Sequence, residues 1–378
     1  MPKPERISDP ANPLAVYINV PFCTTACSFC HYRPNLRFGN DSVPSDYLEA
    51  LQRQWTMILD LFPAGRPLVS LYLGGGTPSL LSGKQFDRLL TPLEARGVTA
   101  EERTLEIHPA TWPRLIGDAR QALAGFNRFS IGVQTFDAER LRHWSREVYG
   151  FREIDAIISA LRGLRPDAAI NMDLLFETAV NHTDLRLAAA VAPDSITLYP
   201  RTGRRPPGGV TTVYACLREA AETLSDYRRL SPRSFIFLRR WNARSRHAVH
   251  EYEAAGDVIG LGHMAVSHLG NDSFRSRFDG SDCLFEPRRQ GARYRVGVLR
   301  AIPYGVAPDL VEAVDPGLFA FLEPHPDVPD LRYLRPGAAV DFDTFLTVQG
   351  WAIDDIEEFR RTVAFGDTAP DRLKEVTP

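Results

Sequence analysis

Six short apolar runs, each followed by a longer amphipathic stretch, limit the fold of this 378-residue chain more than any other feature. The runs are VYINV (16–20), SLYLGG (70–75), TLEIHP (104–109), RFSIGVQ (128–134), INMDLLF (170–176) and SITLYP (195–200). They are rich in β-branched and aromatic residues, as strands are. SDYLEALQRQWTMILDLF (45–62) carries apolar residues at helical spacing behind Ser45, an expected N-cap. GKQFDRLLTPLEARG (83–97) closes on Gly97, where a helix C-terminus favours glycine. Residues 115–125, 137–146, 151–164, 183–192 and 210–229 read as further helices. Such alternation predicts a parallel sheet with helices outside, either doubly wound and open or curved like a barrel. In both, chemistry collects at the C-terminal ends of the strands. A cysteine loop follows the first run and GGGTP the second; Glu106 and His108 end the third, and Gln134 the fourth. Asp173 lies within the fifth and Tyr199 near the end of the sixth. That clustering points to an enzyme.

The cysteine loop, PFCTTACSFCHY (21–32), admits three readings. Cys27, Cys30 and His31 spell C-x-x-C-H, a haem-attachment pattern. Cys23, Cys27, Cys30 and His31 could hold a tetrahedral zinc, although structural zinc sites usually pair two separated knuckles and this chain has one. The three cysteines alone could hold three irons of a cluster and leave a fourth iron open to a chelating molecule. GGGTP lacks the spacing of a dinucleotide fingerprint and the Lys of a P-loop. Its glycines would let a ligand approach the backbone.

Composition sets the background. A net charge of −3 gives no global pull toward nucleic acid or membrane. The start, MPKPERISDPANPL, has no apolar leader, and no run of about 18 apolar residues occurs. The expectation is a cytoplasmic protein with no membrane or nucleic-acid partner. Three of the five cysteines fall within residues 23–30, which argues against a disulfide framework. Cys216 and Cys283 read as small buried hydrophobes. RTGRRPP (201–207) reads as a solvated loop.

Together, YINVPFCTTACSFC and LYLGGGTPS resemble the radical S-adenosylmethionine (SAM) superfamily, and more narrowly its oxygen-independent coproporphyrinogen III oxidase-like (HemN/HemW-like) branch. FNRFSIGVQTFDAERLRHWSR, NMDLLF, SITLYP and DVIGLGHMAVSH match that branch in order, over roughly residues 14–270. The resemblance implies a partial, TIM-like (β/α)6 barrel over residues 14–230. A short extension (1–13) precedes it, and a smaller, substrate-covering C-terminal α+β region (231–378) follows. It implies that Cys23, Cys27 and Cys30 bind a [4Fe–4S] cluster whose open iron holds the amino and carboxylate groups of SAM. Reductive cleavage then yields a 5′-deoxyadenosyl radical. Tyr17 and Phe29 match residues packed on the cofactors. Gly75, Gly76 and Thr77 match contacts to the methionine part, and Glu106 a carboxylate on a SAM amino group. Gln134, Arg146 and Asp173 match a polar set around another SAM, so that two molecules bind. Asp173 sits in an otherwise apolar strand and therefore needs hydrogen-bond donors, from a ribose or from a neighbour such as Asn171. Pro200 and Val266 match positions against adenine or sugar.

Departures from the branch locate what differs. The fifth strand runs into FETAVNHT instead of a Gly- and Pro-containing turn. His263 and Met264 replace a small Gly/Ala run. His247 and Tyr252 survive from an H-N-x-x-Y-W stretch of haem-chaperone relatives, without its Asn and Trp, and HYRPN lacks the extra Cys of true coproporphyrinogen oxidases. His31, His108, His263 and His268 are spare proton-transfer groups; His263, which replaces a small residue, is with Glu106 the candidate catalytic residue. The implied function is C-methylation or methylene transfer such as cyclopropanation on a small molecule, with flavodoxin or ferredoxin as electron donor. Coproporphyrinogen dehydrogenation and a haem chaperone without turnover are the alternatives.

Overall fold

The computed structural model describes residues 4–30, 32, 37–39, 41–201, 209–229, 235–240, 243–253, 256–270 and 272–287, with short stretches at 308, 311–312, 315–324, 332–335 and 338. The strands are β1 (Leu14–Val20), β2 (Pro67–Gly75), β3 (Thr99–Ile107), β4 (Arg128–Gln134), β5 (Ala169–Phe176), β6 (Ser195–Pro200), β7 (Arg228–Arg229), β8 (Ile236–Leu238), β9 (Asp257–Leu261), β10 (Val266–Leu269), β11 (Asp272–Phe278) and β12 (Cys283–Pro287). The principal helices are α1 (Pro4–Ser8), α2 (Ser45–Leu59), α3 (Gly83–Ala95), α4 (Trp112–Asp118), α5 (Arg120–Leu123), α6 (Ala138–His143), α7 (Phe151–Leu164), α8 (His182–Val191), α9 (Gly209–Thr223) and α10 (Arg246–Ala248). These twelve join one open sheet in the order β12-β11-β10-β9-β1-β2-β3-β4-β5-β6-β8-β7, while Leu322–Pro324 and Arg332–Leu334 pair antiparallel in a separate two-stranded sheet. Strands β1 to β6 run parallel in sequence order, the expected partial barrel.

The described strands within residues 236–287 belong to this same sheet. β9 pairs parallel with β1, with Tyr17 opposite Gly260, and β8 closes on β6 antiparallel. Helix α1 is tied to the same edge: Arg6 Nε donates to Asp257 at 2.8 Å. RTGRRPP beyond Arg201, and nearly all residues after 287, lie outside the described residues.

Alternation along the strands splits the sheet into two faces. Outward residues such as Val16, Ile18, Leu71, Leu73, Leu105, Phe129, Ile131, Met172, Leu174 and Ile196 meet Leu51, Trp55, Phe86, Ile154 and Ile158 of the helices in one core. Inward residues are polar. In register, Glu106 pairs with Ser130, Ser130 with Asn171 and Asn171 with Ser195; one rung on, Gly132 pairs with Asp173 and Asp173 with Thr197. This two-faced pattern explains a carboxylate in INMDLLF: the apolar residues cover the outside and Asn171 and Asp173 the inside. Local signals acted largely as expected. Gly97 takes φ +66 just past α3. Ser45, however, is the first residue of α2, and Pro44 is the N-cap, with no side-chain cap bond.

Candidate active site

Three loops at the C-terminal ends of β1, β2 and β4 build the mouth of the barrel. The cysteine loop leaves β1 at Pro21 and is pinned by its own backbone: Cys23 N donates to Arg37 O (3.0 Å), Arg37 N to Pro21 O (2.7 Å) and Cys30 N to Cys27 O (3.2 Å). On the β2 side, Thr77 Oγ1 donates to Cys23 Sγ at 3.3 Å. On the β4 side, Arg146 Nη1 lies 3.6 Å from Cys27 Sγ. Burial pushes the Cys23 thiol up to about 11, and the nearby Cys30 and Cys27 thiols add to the shift. All five thiols of the chain are unbridged; Cys216 and Cys283 are buried elsewhere, as their isolation in the sequence suggested.

The GGGTP turn is shaped by close approach. Gly75 has φ +106, and a Cβ there would lie 1.6 Å from Asn19 Oδ1. A Cβ on Gly76 would meet Val20 O and Phe22 O at 2.8 Å. These glycines bring the backbone against β1, where Gly76 N donates to Val20 O at 3.0 Å, and leave a cradle at the strand end. Gly75→Ala is therefore expected to add about 1–3 kcal/mol of backbone strain before the clash with Asn19 is counted. Thermal unfolding should show a lowered melting point, and SAM titration a loss of binding.

Glu106 closes the cradle from β3. Tyr72 Oη donates to its Oε1 at 2.8 Å and Gly75 N to its Oε2 at 3.2 Å. Burial raises this carboxyl to about 7; the Tyr72 bond opposes the shift and nearby Asp173 adds to it. Tyr17 and His247 complete the wall, with ring centroids 5.6 and 5.0 Å from that of Tyr72.

Asp173 stands on the same inner face, two strands on. Ser130 Oγ donates to its Oδ2 at 2.9 Å and Asn171 Nδ2 to its Oδ1 at 2.9 Å. Its polar neighbours thus satisfy both oxygens, while burial raises its pKa. Gln134, at φ +67, ends β4 and reaches toward Gly132, where Arg146 Nη2 also arrives. Arg146 Nε donates to Tyr149 Oη at 2.7 Å, and the guanidinium stacks 5.8 Å from the Phe29 ring. Phe29 itself packs edge-on against Trp144 at 5.5 Å. Pro200 is buried at the end of β6, and Val266 crosses Gly260, the register partner of Tyr17. His263 follows β9, on the far side of β1 from β2: Asn19 Nδ2 donates to its carbonyl, its Nδ1 accepts from Phe278 N at 3.2 Å, and its backbone N donates to Tyr47 Oη at 3.0 Å.

Sequence reasoning missed Tyr72, Asn19 and Glu147. Tyr72 could have been found, because it sits two residues before Gly74 and so shares its face. Glu147 accepts hydroxyl bonds from Thr24 and from Thr25 (3.1 Å), and Glu147 Oε2 lies 3.3 Å from His108 Nε2. Nothing local marks it, since these partners are far away in sequence.

Comparison with known proteins agrees with this geometry. Residues 17–182 match the radical SAM superfamily. The chain is 32% identical over 210 residues to anaerobilin synthase of Escherichia coli O157:H7 and 34% identical over 216 residues to the heme chaperone HemW of Escherichia coli strain K12. Each match covers 52% of this chain, with 45% and 54% of those relatives, so the chain spans about half the length of the curated relatives it matches. Among solved structures, coproporphyrinogen III oxidase (HemN) from Escherichia coli aligns over 96% of this chain and 92% of its own, with a TM-score of 0.64 and 19% identity, a likeness of fold.

The superfamily uses a [4Fe–4S] cluster and SAM. The residues fit both: one loop carries three unbridged thiols, and beside it stand a glycine turn and a buried carboxylate. Among the described residues, no three His, Cys, Asp or Glu groups converge on a single-ion site. His31, the fourth zinc candidate, lies outside the described residues. Nor, among the described residues, is any helix long and apolar enough to cross a membrane. The chain thus carries a match to the radical SAM superfamily over residues 17–182 and is similar to HemN/HemW-like proteins.

Proposed function

We propose that this chain is an enzyme that seats the methionine end of SAM between the cysteine loop and the Gly75–Glu106 wall and acts on a small molecule by C-methylation or methylene transfer, such as cyclopropanation. The observation that carries the reading is the convergence of Cys23 and Cys27, through Thr77 and Arg146, with the Gly75 cradle and Glu106 at one mouth. Each Glu106 oxygen keeps a second lone pair beyond its Tyr72 or Gly75 bond, able to accept from an ammonium group. Bound there, the cluster supplies the electron and SAM the 5′-deoxyadenosyl radical that begin the chemistry. An electron donor such as flavodoxin or ferredoxin reduces the site from outside. Gln134, Arg146 and Asp173 line the β4–β5 side of the same mouth, which supports a second SAM as methyl donor. The Ser130 and Asn171 bonds hold Asp173 in one orientation, so its remaining lone pairs are presented ready-made to a ribose.

A haem chaperone without turnover is the second reading, favoured by the 34% identity to HemW. Against it, His247 is buried, with Nδ1 2.8 Å from Ser70 Oγ and Nε2 3.3 Å from Glu251. Both ring nitrogens serve the barrel interior, which supports a structural place for this histidine. Turnover with methyl-deuterated SAM separates the readings. Methyl transfer is expected to put deuterium into 5′-deoxyadenosine and to release S-adenosylhomocysteine. Unlabelled 5′-deoxyadenosine without S-adenosylhomocysteine overturns methyl transfer and leaves hydrogen abstraction, as a coproporphyrinogen dehydrogenase would perform. Haem uptake without methionine release selects the chaperone.

A further inference from the structure

The cysteine loop is pinned by its own backbone bonds and is also tethered to the barrel from neighbouring loops. On the β2 side the tether is Thr77, already part of the site. On the β4 side, Ser28 N donates to Trp144 O at 2.9 Å, and the next contact is a side chain. Glu147 turns its carboxylate onto the loop and takes the hydroxyls of two consecutive residues, Thr24 on Oε1 and Thr25 on Oε2 at 3.1 Å. These threonines lie between Cys23 and Cys27, so the carboxylate grips the span that sets how those two thiols stand to each other.

The other end of the grip is also fixed. His108, at the end of β3, places Nε2 3.3 Å from Glu147 Oε2, while its Nδ1 accepts from Ala110 N at 3.2 Å. Nδ1 as acceptor leaves the proton on Nε2, facing the carboxylate. Burial, reinforced by Arg146, lowers His108 to about 4, so the neutral ring sits beside the Glu147 carboxylate without adding a charge near the thiols. Although burial works against it, His108 and the Thr24 hydroxyl hold Glu147 below the ordinary carboxylate range. The adjacent residue, Arg146, meanwhile reaches Cys27 itself. One dipeptide thus addresses the cluster loop twice, Arg146 at a thiol and Glu147 at the two threonine hydroxyls between two thiols.

We propose that Glu147 is a positioning residue for the iron–sulfur cluster, a carboxylate clamp from the β4 loop that, backed by His108, fixes the Thr24–Thr25 span and with it the relative placement of Cys23 and Cys27. This rests on the assignment of the cluster to the three cysteines. The proposal assigns Glu147 no contact with SAM or substrate.

The test compares wild type with E147A, E147Q, the double variant T24V/T25V, and C27A as the ligand-loss control. All are reconstituted anaerobically and followed for iron loss to a chelator and for the electron paramagnetic resonance spectrum of the reduced cluster. Loss of a charge-assisted hydrogen bond predicts iron release at least about tenfold faster in E147A. The reduced spectrum should also change in shape. E147Q, whose amide oxygen still accepts one hydroxyl bond, should fall between E147A and wild type. T24V/T25V leaves Glu147 and His108 in place and should reproduce E147A, so the proposal stays testable even if E147A fails to fold. Wild-type release rates and spectra in E147A or in T24V/T25V overturn the clamp. The cluster assignment stands through that result as long as wild type takes up iron and C27A does not; iron retained by C27A overturns the assignment and the clamp with it.

Discussion

Replacing Cys23, Cys27 or Cys30 with Ala is expected to take anaerobically reconstituted protein from about four irons per chain to near none. SAM cleavage should vanish with the iron. The effect is all-or-none because a cubane held by three thiolates has no spare protein ligand, and the remaining two cysteines of the chain are buried elsewhere. Cys216 Sγ points to Thr178 O at 3.6 Å, and burial pushes the Cys283 thiol up to about 12. Substituting Ser at either should leave the iron content unchanged. Iron and sulfide analysis with the visible absorption spectrum checks the series. A Cys216 or Cys283 variant without iron would refute the three-cysteine assignment.

Glu106→Ala should weaken SAM binding by about ten- to a hundredfold, the loss of one charge-assisted hydrogen bond of about 1.5–3 kcal/mol. The fold should persist, since the carboxylate faces the mouth. Its pH dependence gives a sharper test. Burial raises the Glu106 carboxyl to about 7, above the ordinary value of 4.5. Between those values the folded protein binds a proton that the unfolded chain has released. This group's contribution to stability therefore falls as pH rises through that window and levels off above about 7. SAM binding has the opposite slope: an ammonium prefers the ionised carboxylate, so affinity should climb toward pH 7 and then flatten. Glu106→Gln should remove the climb. Calorimetric titration between pH 5.5 and 8.5 measures both, and an unchanged slope in the Gln variant would assign the titration to another group.

Much of the barrel was legible because its elements are locally determined. RFSIGVQ and SITLYP coincide with β4 and β6, and residues 151–164 with α7, to the residue. Each has a run of residue types that suits one conformation, bounded by breakers. The same local reading placed Ser45 as a cap, whereas Pro44 already supplies the extended geometry before the helix. Long-range pairing carried no such mark. DVIGLGHMAVSH could be read as strand, but its parallel seat on β1 depends on an edge left open more than two hundred residues earlier. Within the site, the cysteines and glycines declared themselves through spacing. Asp173 was expected to need donors, and Asn171 was a named candidate; Ser130 emerged only when register set it on the neighbouring rung. His263, singled out because it replaces a small residue, has its Nδ1 engaged by the Phe278 amide.

The parallel seat of β9 on β1 also has a consequence for how the molecule is made. β1 carries the cysteine loop and is synthesised well before β9, yet one of its two edges is covered only when residues 257–261 arrive. Closing so long a loop is slow compared with forming the local β/α units between. Until then the strand that bears the thiols keeps a row of unpaired backbone groups exposed, a surface that invites pairing with other chains. The nascent protein thus has an interval in which its most oxidisable residues border its least protected edge. Iron binding after β9 has docked would avoid that interval, because the strand that bears the thiols then has both edges paired.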